Sequence, residues 1–360
     1  MKPPPLSHQP LPLLLATRQQ GAHDELIRRY RADERELVRL VAGFHLAGYT
    51  RHLLARHAEA AGLCEQLEDF EKQEIGRAAL RKAALRQLDM TLKNRCQTAV
   101  LFKGAALARE LYPQEHLRQS ADIDILMTDT AIEAVFPGER QAPCAAHDHI
   151  RRQHIIGMPL EVHFKVGRHP RWGSFADIAP PDPGPGLVTP DPLVSLTITL
   201  QHVYKHYGIM PYDFSDLSLL QAHYQLDWAE AAQLWCDRGL QRQVLPALLI
   251  AAACGIVPET ACEPLLSSVS RRDARRATIF ASYLGSTRAS FLRRWQLRCW
   301  KRKQSVPFTL LLQLFGTRAT TQRLTGLPPA NPKFWLHHLL IQPANRIARA
   351  GRPIAPDRDH

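Results

Sequence analysis

The chain of 360 residues is longer than one ordinary domain and too short for three generous ones, so a core with attached parts is expected. Its composition, 45% hydrophobic and 22% charged, is enough to bury a core and excludes global disorder. The formal charge of +12 is concentrated: eleven Lys/Arg and one acid, Asp273, fall between Arg271 and Lys303. An anionic partner is therefore expected for residues 271–303, while the rest of the chain is close to neutral. Seven cysteines, an odd number with no Cys-x-x-Cys pair, argue against a disulfide framework or a zinc knuckle and fit reduced thiols in the cytoplasm. No secretory signal is read at the N-terminus. The longest apolar run, Val244 to Val257, falls short of the ~20 residues of a spanning helix.

In chain order, residues 1–12 are proline-rich, and Leu13 to Asn94 carries helical periodicity, as in Leu37, Leu40, Val41 and Phe44. Residues 1–94 are thus expected to form an N-terminal helical region. The texture changes at Thr98-Ala99-Val100-Leu101-Phe102, a short apolar run that reads as a buried strand. Lys103-Gly104 ends it, and Ala105 to Tyr112 follows as a helix stopped by Pro113. Asp122 to Met127 reads as a second strand, Thr130 to Phe136 as a weak helix, and His154 to Phe164 as a third strand region with a turn at Gly157 to Pro159. A core over 95–178 is expected, then a Pro/Gly linker over 179–192. Helices are predicted at Leu193 to Tyr207, Asp216 to Tyr224, Trp228 to Arg238 and Arg242 to Cys254, giving a helical domain over 193–270. A basic helical region and tail over 271–360 completes the chain. The class is α+β: a small mixed sheet flanked by an N-terminal helical layer and a C-terminal helical domain.

Asp122 and Asp124 are two apart on a predicted strand, so they share a face while Ile123 and Ile125 point into a core. Two adjacent carboxylates repel each other unless a cation or a hydrogen-bond network compensates them. A pair of Mg²⁺ or Mn²⁺ ions does so, with oxygen ligands and substrate phosphates completing the shells. An isolated Asp-x-Asp also matches by chance on a solvated strand edge. Here it follows a strand-glycine-helix turn, and a third acid, Glu161, stands in strand context with His163 on its face and Leu160, Val162 and Phe164 on the other. Three such carboxylates suit two-metal phosphoryl transfer. The turn Lys103-Gly104-Ala105 supplies the other half, because glycine admits a close phosphate and the following helix points free N–H groups at it. Arg118, four residues before Asp122, contacts phosphate, pairs with the carboxylates or is a surface arginine; the sequence leaves all three open.

At these residues, VLFKGAALARELYP, LRQSADIDILM and PLEVHF, the chain resembles a family of uncharacterised nucleotidyltransferases within the polymerase-β-like superfamily. The resemblance implies a glycine turn at Lys103 and Gly104, metal-binding catalytic carboxylates at Asp122, Asp124 and Glu161, an arginine at Arg118 and a histidine at His163. It extends over PDPLVSLTITLQHVYKHYG, with His202 and His206, and over SDLSLL, with Asp216, and covers roughly residues 10–255. Where many relatives in the superfamily have Gly-Ser in the turn, this chain has Gly104-Ala105. The implied reaction moves a nucleoside monophosphate from an NTP, with ATP as the default donor, to an acceptor that is a small molecule, peptide, protein or RNA end.

His202 and His206 are spaced i, i+4 on a predicted helix, which suits a metal, contact with nucleotide or acceptor, or simply a boundary position. Phe291 to Lys303 mixes Trp295 and Trp300 with six basic residues. That combination fits a packed cationic helix, a nucleic-acid grip or an anionic surface. Two rivals to the enzyme stand beside it: a non-catalytic accessory protein on the same fold, and a nucleic-acid-directed protein working through the basic segment.

Overall fold

The structure is a computed structural model of the chain and describes residues 9, 11–17, 19, 21–137, 149–167, 169–206, 210 and 212–281. The helical texture ahead of Thr98 resolves into α1 (Leu11–Ala16), α2 (Ala22–Ala32), α3 (Glu34–Gly43), α4 (Ala47–Leu54), α5 (Ala61–Gln66) and α6 (Glu68–Asn94). Local chemistry sets the breaks. Asp33, for example, accepts a hydrogen bond from the Glu36 N–H and so starts α3.

Next come β1 (Thr98–Phe102), α7 (Gly104–Leu111), β2 (Ile123–Leu126), α8 (Asp129–Val135), β3 (His149–Ile155), β4 (Met158–His163), α9 (Phe175–Ile178) and β5 (Gly186–Val188). The strands form one five-stranded sheet in the order β3-β4-β2-β1-β5. β1 is antiparallel to β2 and parallel to β5, while β4 is parallel to β2 and antiparallel to β3, so the sheet is mixed as the sequence predicts.

Period-two alternation divides the sheet into two faces. Ala99, Leu101, Ile123, Ile125, Leu160 and Val162 bury one face against Ala84, Leu85, Leu88 and Leu92 of α6 and Ala131, Ile132 and Val135 of α8. The other face carries the acids. Two differences from the sequence reading bear on the sheet. β2 begins at Ile123, which leaves Asp122 one residue outside the strand. Within the Pro/Gly stretch 179–192, residues 186–188 form an edge strand. Composition signals a linker there, but pairing to β1 and a hydrogen bond from the Leu187 N–H to Asp89 of α6 (2.9 Å) fix the backbone.

After the sheet come α10 (Pro192–His206), α11 (Asp213–His223), α12 (Trp228–Arg238), α13 (Gln241–Ala253), α14 (Glu263–Ser268) and α15 (Arg271–Ala281). Asp227 caps α12 at its start, and Gly239 ends it with φ 69° in the left-handed region. α10 packs on α11 and α13, and α11 packs on α7, which brings the histidine-bearing helix toward the acid face of the sheet. Among the described residues no helix is long and apolar enough to cross a membrane. The basic segment enters the described residues only as α15. Residues 282–303, with Trp295 and Trp300, lie outside them, as does the tail.

Candidate active site

The parallel register of β2 and β4 places Asp124 opposite Glu161 and Leu126 opposite His163. Because side chains alternate, Asp124, Glu161 and His163 emerge on the face away from α6. All three are buried, at 4, 9 and 5% exposure, where an uncompensated charge is expensive. His163 Nε2 lies 2.8 Å from Asp124 Oδ1 and 3.7 Å from Glu161 Oε2. One ligand atom from each residue falls within 4.8 Å of the others, a spacing that fits a metal ion. Asp122 stands beside this group, accepting a 3.4 Å hydrogen bond from the Ser120 hydroxyl. Burial, then the charges of Asp124 and Glu161, push its carboxyl up to about 6.

Lys103, the residue before α7, has φ 57° and ψ −135°, a conformation that L residues rarely adopt. Such strain persists only where the surroundings over-determine it, and it clusters at functional sites. The result is an ammonium aimed into the carboxylates: Nζ lies 2.7 Å from Asp124 Oδ1. Burial works against the charge on Lys103, but Asp124 outweighs it and the pKa is raised. Burial likewise opposes the charge on Asp124, yet Lys103 and the His163 hydrogen bond hold that carboxyl well below the usual range.

Gly104 follows and opens α7. A Cβ there would stand 2.5 Å from Ser120 Oγ and 2.8 Å from Arg118 Nη1, so only glycine fits. No side chain caps the start of α7, which leaves its first-turn N–H groups without a side-chain acceptor. Ala105 is buried in the apolar cluster beside Leu101 and Ile123. A serine hydroxyl at that position would point into the core, so Ala105 offers the site only its backbone. The hydroxyl at the turn is instead that of Ser120, from the loop before β2. The sequence reading passed over Ser120, and no local pattern marks it, because only the fold sets it against Gly104.

Arg118 is committed inward. Its Nη2 lies 2.8 Å from Asp216 Oδ2, and its guanidinium stacks 4.7 Å from the Tyr212 ring centroid. Tyr112 donates to the same aspartate at 2.8 Å. Buried Arg81 of α6 holds the loop behind Arg118 by donating to the carbonyls of Glu115 (2.6 Å) and Arg118 (3.0 Å). The acid that the sequence reading linked to the family, Asp216, is thus the partner of the arginine it left open.

His202 and His206 touch ring to ring at a 45° tilt, with centroids 4.3 Å apart. His202 Nδ1 lies 2.7 Å from Asp213 Oδ1, a second residue that sequence reasoning missed. Its signal is an acid three residues before Asp216 on the same helical face. Burial pushes Asp213 up to about 8 and, with Lys103 and Lys205 adding to it, pushes His202 down to about 3. The charges of Lys103 and Asp124 both reach His202.

A family model described as an uncharacterised nucleotidyltransferase matches residues 30–255, a span holding the whole sheet and every site residue named above. The chain belongs to this family. It is therefore a nucleotidyltransferase, an enzyme of nucleotidyl transfer from an NTP. No curated protein and no solved structure matches it. The family match ends at 255, ahead of the basic segment.

Proposed function

We propose that this nucleotidyltransferase moves a nucleoside monophosphate, AMP from ATP, to an acceptor hydroxyl or phosphate oxygen on a small molecule, peptide, protein or RNA. The observation that carries this reading is a convergence on one sheet face. Asp124, Glu161 and His163, with Asp122 beside them, meet next to the glycine-led, uncapped start of α7. The donors fit a divalent ion: carboxylate oxygens suit Mg²⁺ and Mn²⁺, and the spacing closes within one coordination shell. A bound pair of such ions would polarise the triphosphate and activate the acceptor oxygen.

The chain's own residues divide the remaining work. Asp122, Asp124 and Glu161 hold the ions. Gly104 lets the triphosphate approach, and the backbone N–H groups from Ala105 onward receive it at the positive end of α7. Lys103 compensates Asp124 and adds a point charge toward the phosphates. Arg118, donating to the Gln119 carbonyl (2.6 Å), braces the loop that carries Ser120 to Gly104. His202, which feels the charge of Lys103, and His206 against it would border the space where nucleotide and acceptor meet. The acceptor oxygen forms a bond to the α-phosphorus, the bond from that phosphorus to the bridging oxygen breaks, and pyrophosphate leaves.

Isothermal calorimetry of ATP and the other NTPs with Mg²⁺ tests the reading, on wild type and on Asp122→Asn/Asp124→Asn. Metal-dependent binding that the double substitution abolishes is the expected result. Failure of every NTP to bind wild type with any divalent metal would overturn it.

A further inference from the structure

We infer that His163 binds metal directly through Nε2, so that the site is a mixed nitrogen–oxygen one that takes a transition-metal dication such as Mn²⁺ in preference to Mg²⁺. The inference rests on the reading above that Asp124 and Glu161 carry a divalent ion. It departs from an all-carboxylate set of Asp122, Asp124 and Glu161.

The geometry favours the imidazole as the third ligand. His163 sits two residues after Glu161 on β4, so both point to the same face, and the β2–β4 register sets Asp124 directly opposite Glu161 on the neighbouring strand. Its Nε2, 2.8 Å from Asp124 Oδ1 and 3.7 Å from Glu161 Oε2, faces both carboxylates. The ring is held by an edge-on contact with Phe102, 5.1 Å between centroids, and lies in a buried environment that limits other orientations. Among the described residues the group whose ligand atoms close within 4.8 Å is Asp124, Glu161 and His163; Asp122 is not part of it.

A second observation is independent of the histidine. Asp124 Oδ1 already accepts a cation, the Lys103 ammonium at 2.7 Å. The backbone conformation of Lys103, φ 57° and ψ −135°, is held in a strained region in the arrangement that delivers it. The Asp124 carboxylate of the cluster is therefore one that the fold already supplies with positive charge.

Ligand chemistry then separates the metals. Mg²⁺ demands octahedral oxygen ligands and sheds water reluctantly. Imidazole suits first-row transition metals, and Mn²⁺ also accepts carboxylate and phosphate oxygens. Binding requires Nε2 to present its lone pair, with the ring proton on Nδ1, in place of the hydrogen bond it now makes to Asp124.

The test uses full-length protein and Mn²⁺ alone, then Mn²⁺ with ATP. Pulsed electron paramagnetic resonance reads ¹⁴N modulation from a directly bound imidazole, and a parallel titration reads displacement by Mg²⁺. Wild type is expected to show the nitrogen coupling. His163→Gln, checked for folding by circular dichroism, is expected to lose it. That variant should also lose at least the roughly tenfold to hundredfold in metal affinity that removing even an outer-shell partner costs. Should His163→Gln fail to fold, anomalous diffraction from Mn²⁺-soaked wild-type crystals decides, since Nε2 must lie within bonding distance of the ion. Mn²⁺ bound in an Asp124-dependent way without nitrogen coupling, or with coupling that survives His163→Gln, overturns the inference and leaves the nucleotidyl-transfer reading standing. No Mn²⁺ binding with or without ATP also overturns the inference, while the nucleotidyl-transfer reading is then decided by the calorimetry with Mg²⁺.

Discussion

Arg118 and Asp216, 98 residues apart in the chain, meet in a two-pronged ion pair, with Nε 3.3 Å from Oδ1 and Nη2 2.8 Å from Oδ2. Both side chains are largely buried, at 13 and 3% exposure, so the pair is neither screened nor easily replaced by water. Removing one partner leaves the other as an uncompensated buried charge, which typically costs about 3–5 kcal/mol. Arg118→Met and Asp216→Asn are each expected to destabilise the protein on that scale in chemical denaturation. Arg118→Met/Asp216→Asn should lose clearly less than the sum of the single substitutions, because the second change removes the orphaned charge left by the first. Additive losses would show that the pair is not a unit.

Gly104 stands against the same arginine. Gly104→Ala places a methyl group 2.5 Å from Ser120 Oγ and 2.8 Å from Arg118 Nη1, so one of the two must move. Overpacking of this kind costs about 1–3 kcal/mol. Thermal unfolding is expected to show that loss, and calorimetry to show a larger relative fall in ATP affinity, because the displaced groups border the α7 start. Gly104→Ala/Ser120→Gly removes the closest clash and should recover part of the stability. No recovery would place the strain on the Arg118 side.

The sheet and its acids were legible because their signals are local. Apolar runs bounded by glycine and proline mark β1 and α7, and the alternation of Asp122, Ile123, Asp124 and Ile125 sorts one face from the other. The family resemblance marks the same residues. What sequence left open depends on contacts between distant segments. Nothing near Arg118 announces Asp216, and nothing near Gly104 announces Ser120. Asp213 is marked locally only by its spacing from Asp216, and its meaning appears only when α11 folds back on α10 and brings it to His202. β5 was hidden for the opposite reason: its Pro/Gly surroundings read as a linker, while its order comes from β1 and Asp89.

The Asp213–His202 pair carries a pH signature with two opposing parts. Burial lifts Asp213 from 3.8 to about 8, so the folded state binds its proton more tightly than the unfolded state. Stability from this group is therefore fully present below about 4 and is lost as pH rises toward 8. His202 is pushed from 6.5 down to about 3, so the unfolded state binds its proton first and stability is lost as pH falls below 6.5. The two slopes oppose each other at acid pH, and between about 6.5 and 8 the Asp213 slope remains alone. Asp213→Asn keeps an acceptor facing His202 Nδ1 and removes the titration. Urea denaturation at several pH values should show wild type losing stability over that upper window more steeply than the variant. Parallel curves would mean that Asp213 is ionised throughout.

Lys103 supplies the last contrast, because its ammonium and an incoming metal ion compete for Asp124 Oδ1. Lys103→Met keeps most of the side-chain volume and deletes the charge. Without metal, Asp124 then lies buried with the His163 contact but no fixed cation, so the variant is expected to unfold at a lower temperature than wild type. Adding Mn²⁺ should reverse the order of response. In wild type the ion must displace an ammonium, whereas in the variant it meets a bare carboxylate and binds more tightly. A ligand that binds only the folded state raises its stability by an amount that grows with affinity, so the Mn²⁺-induced shift in melting temperature should be larger in Lys103→Met. ATP affinity should move the other way, since the point charge next to the α7 start is gone. An equal or smaller Mn²⁺ shift in the variant would show that Lys103 and the metal occupy separate places, while unchanged ATP affinity would remove Lys103 from the triphosphate contact.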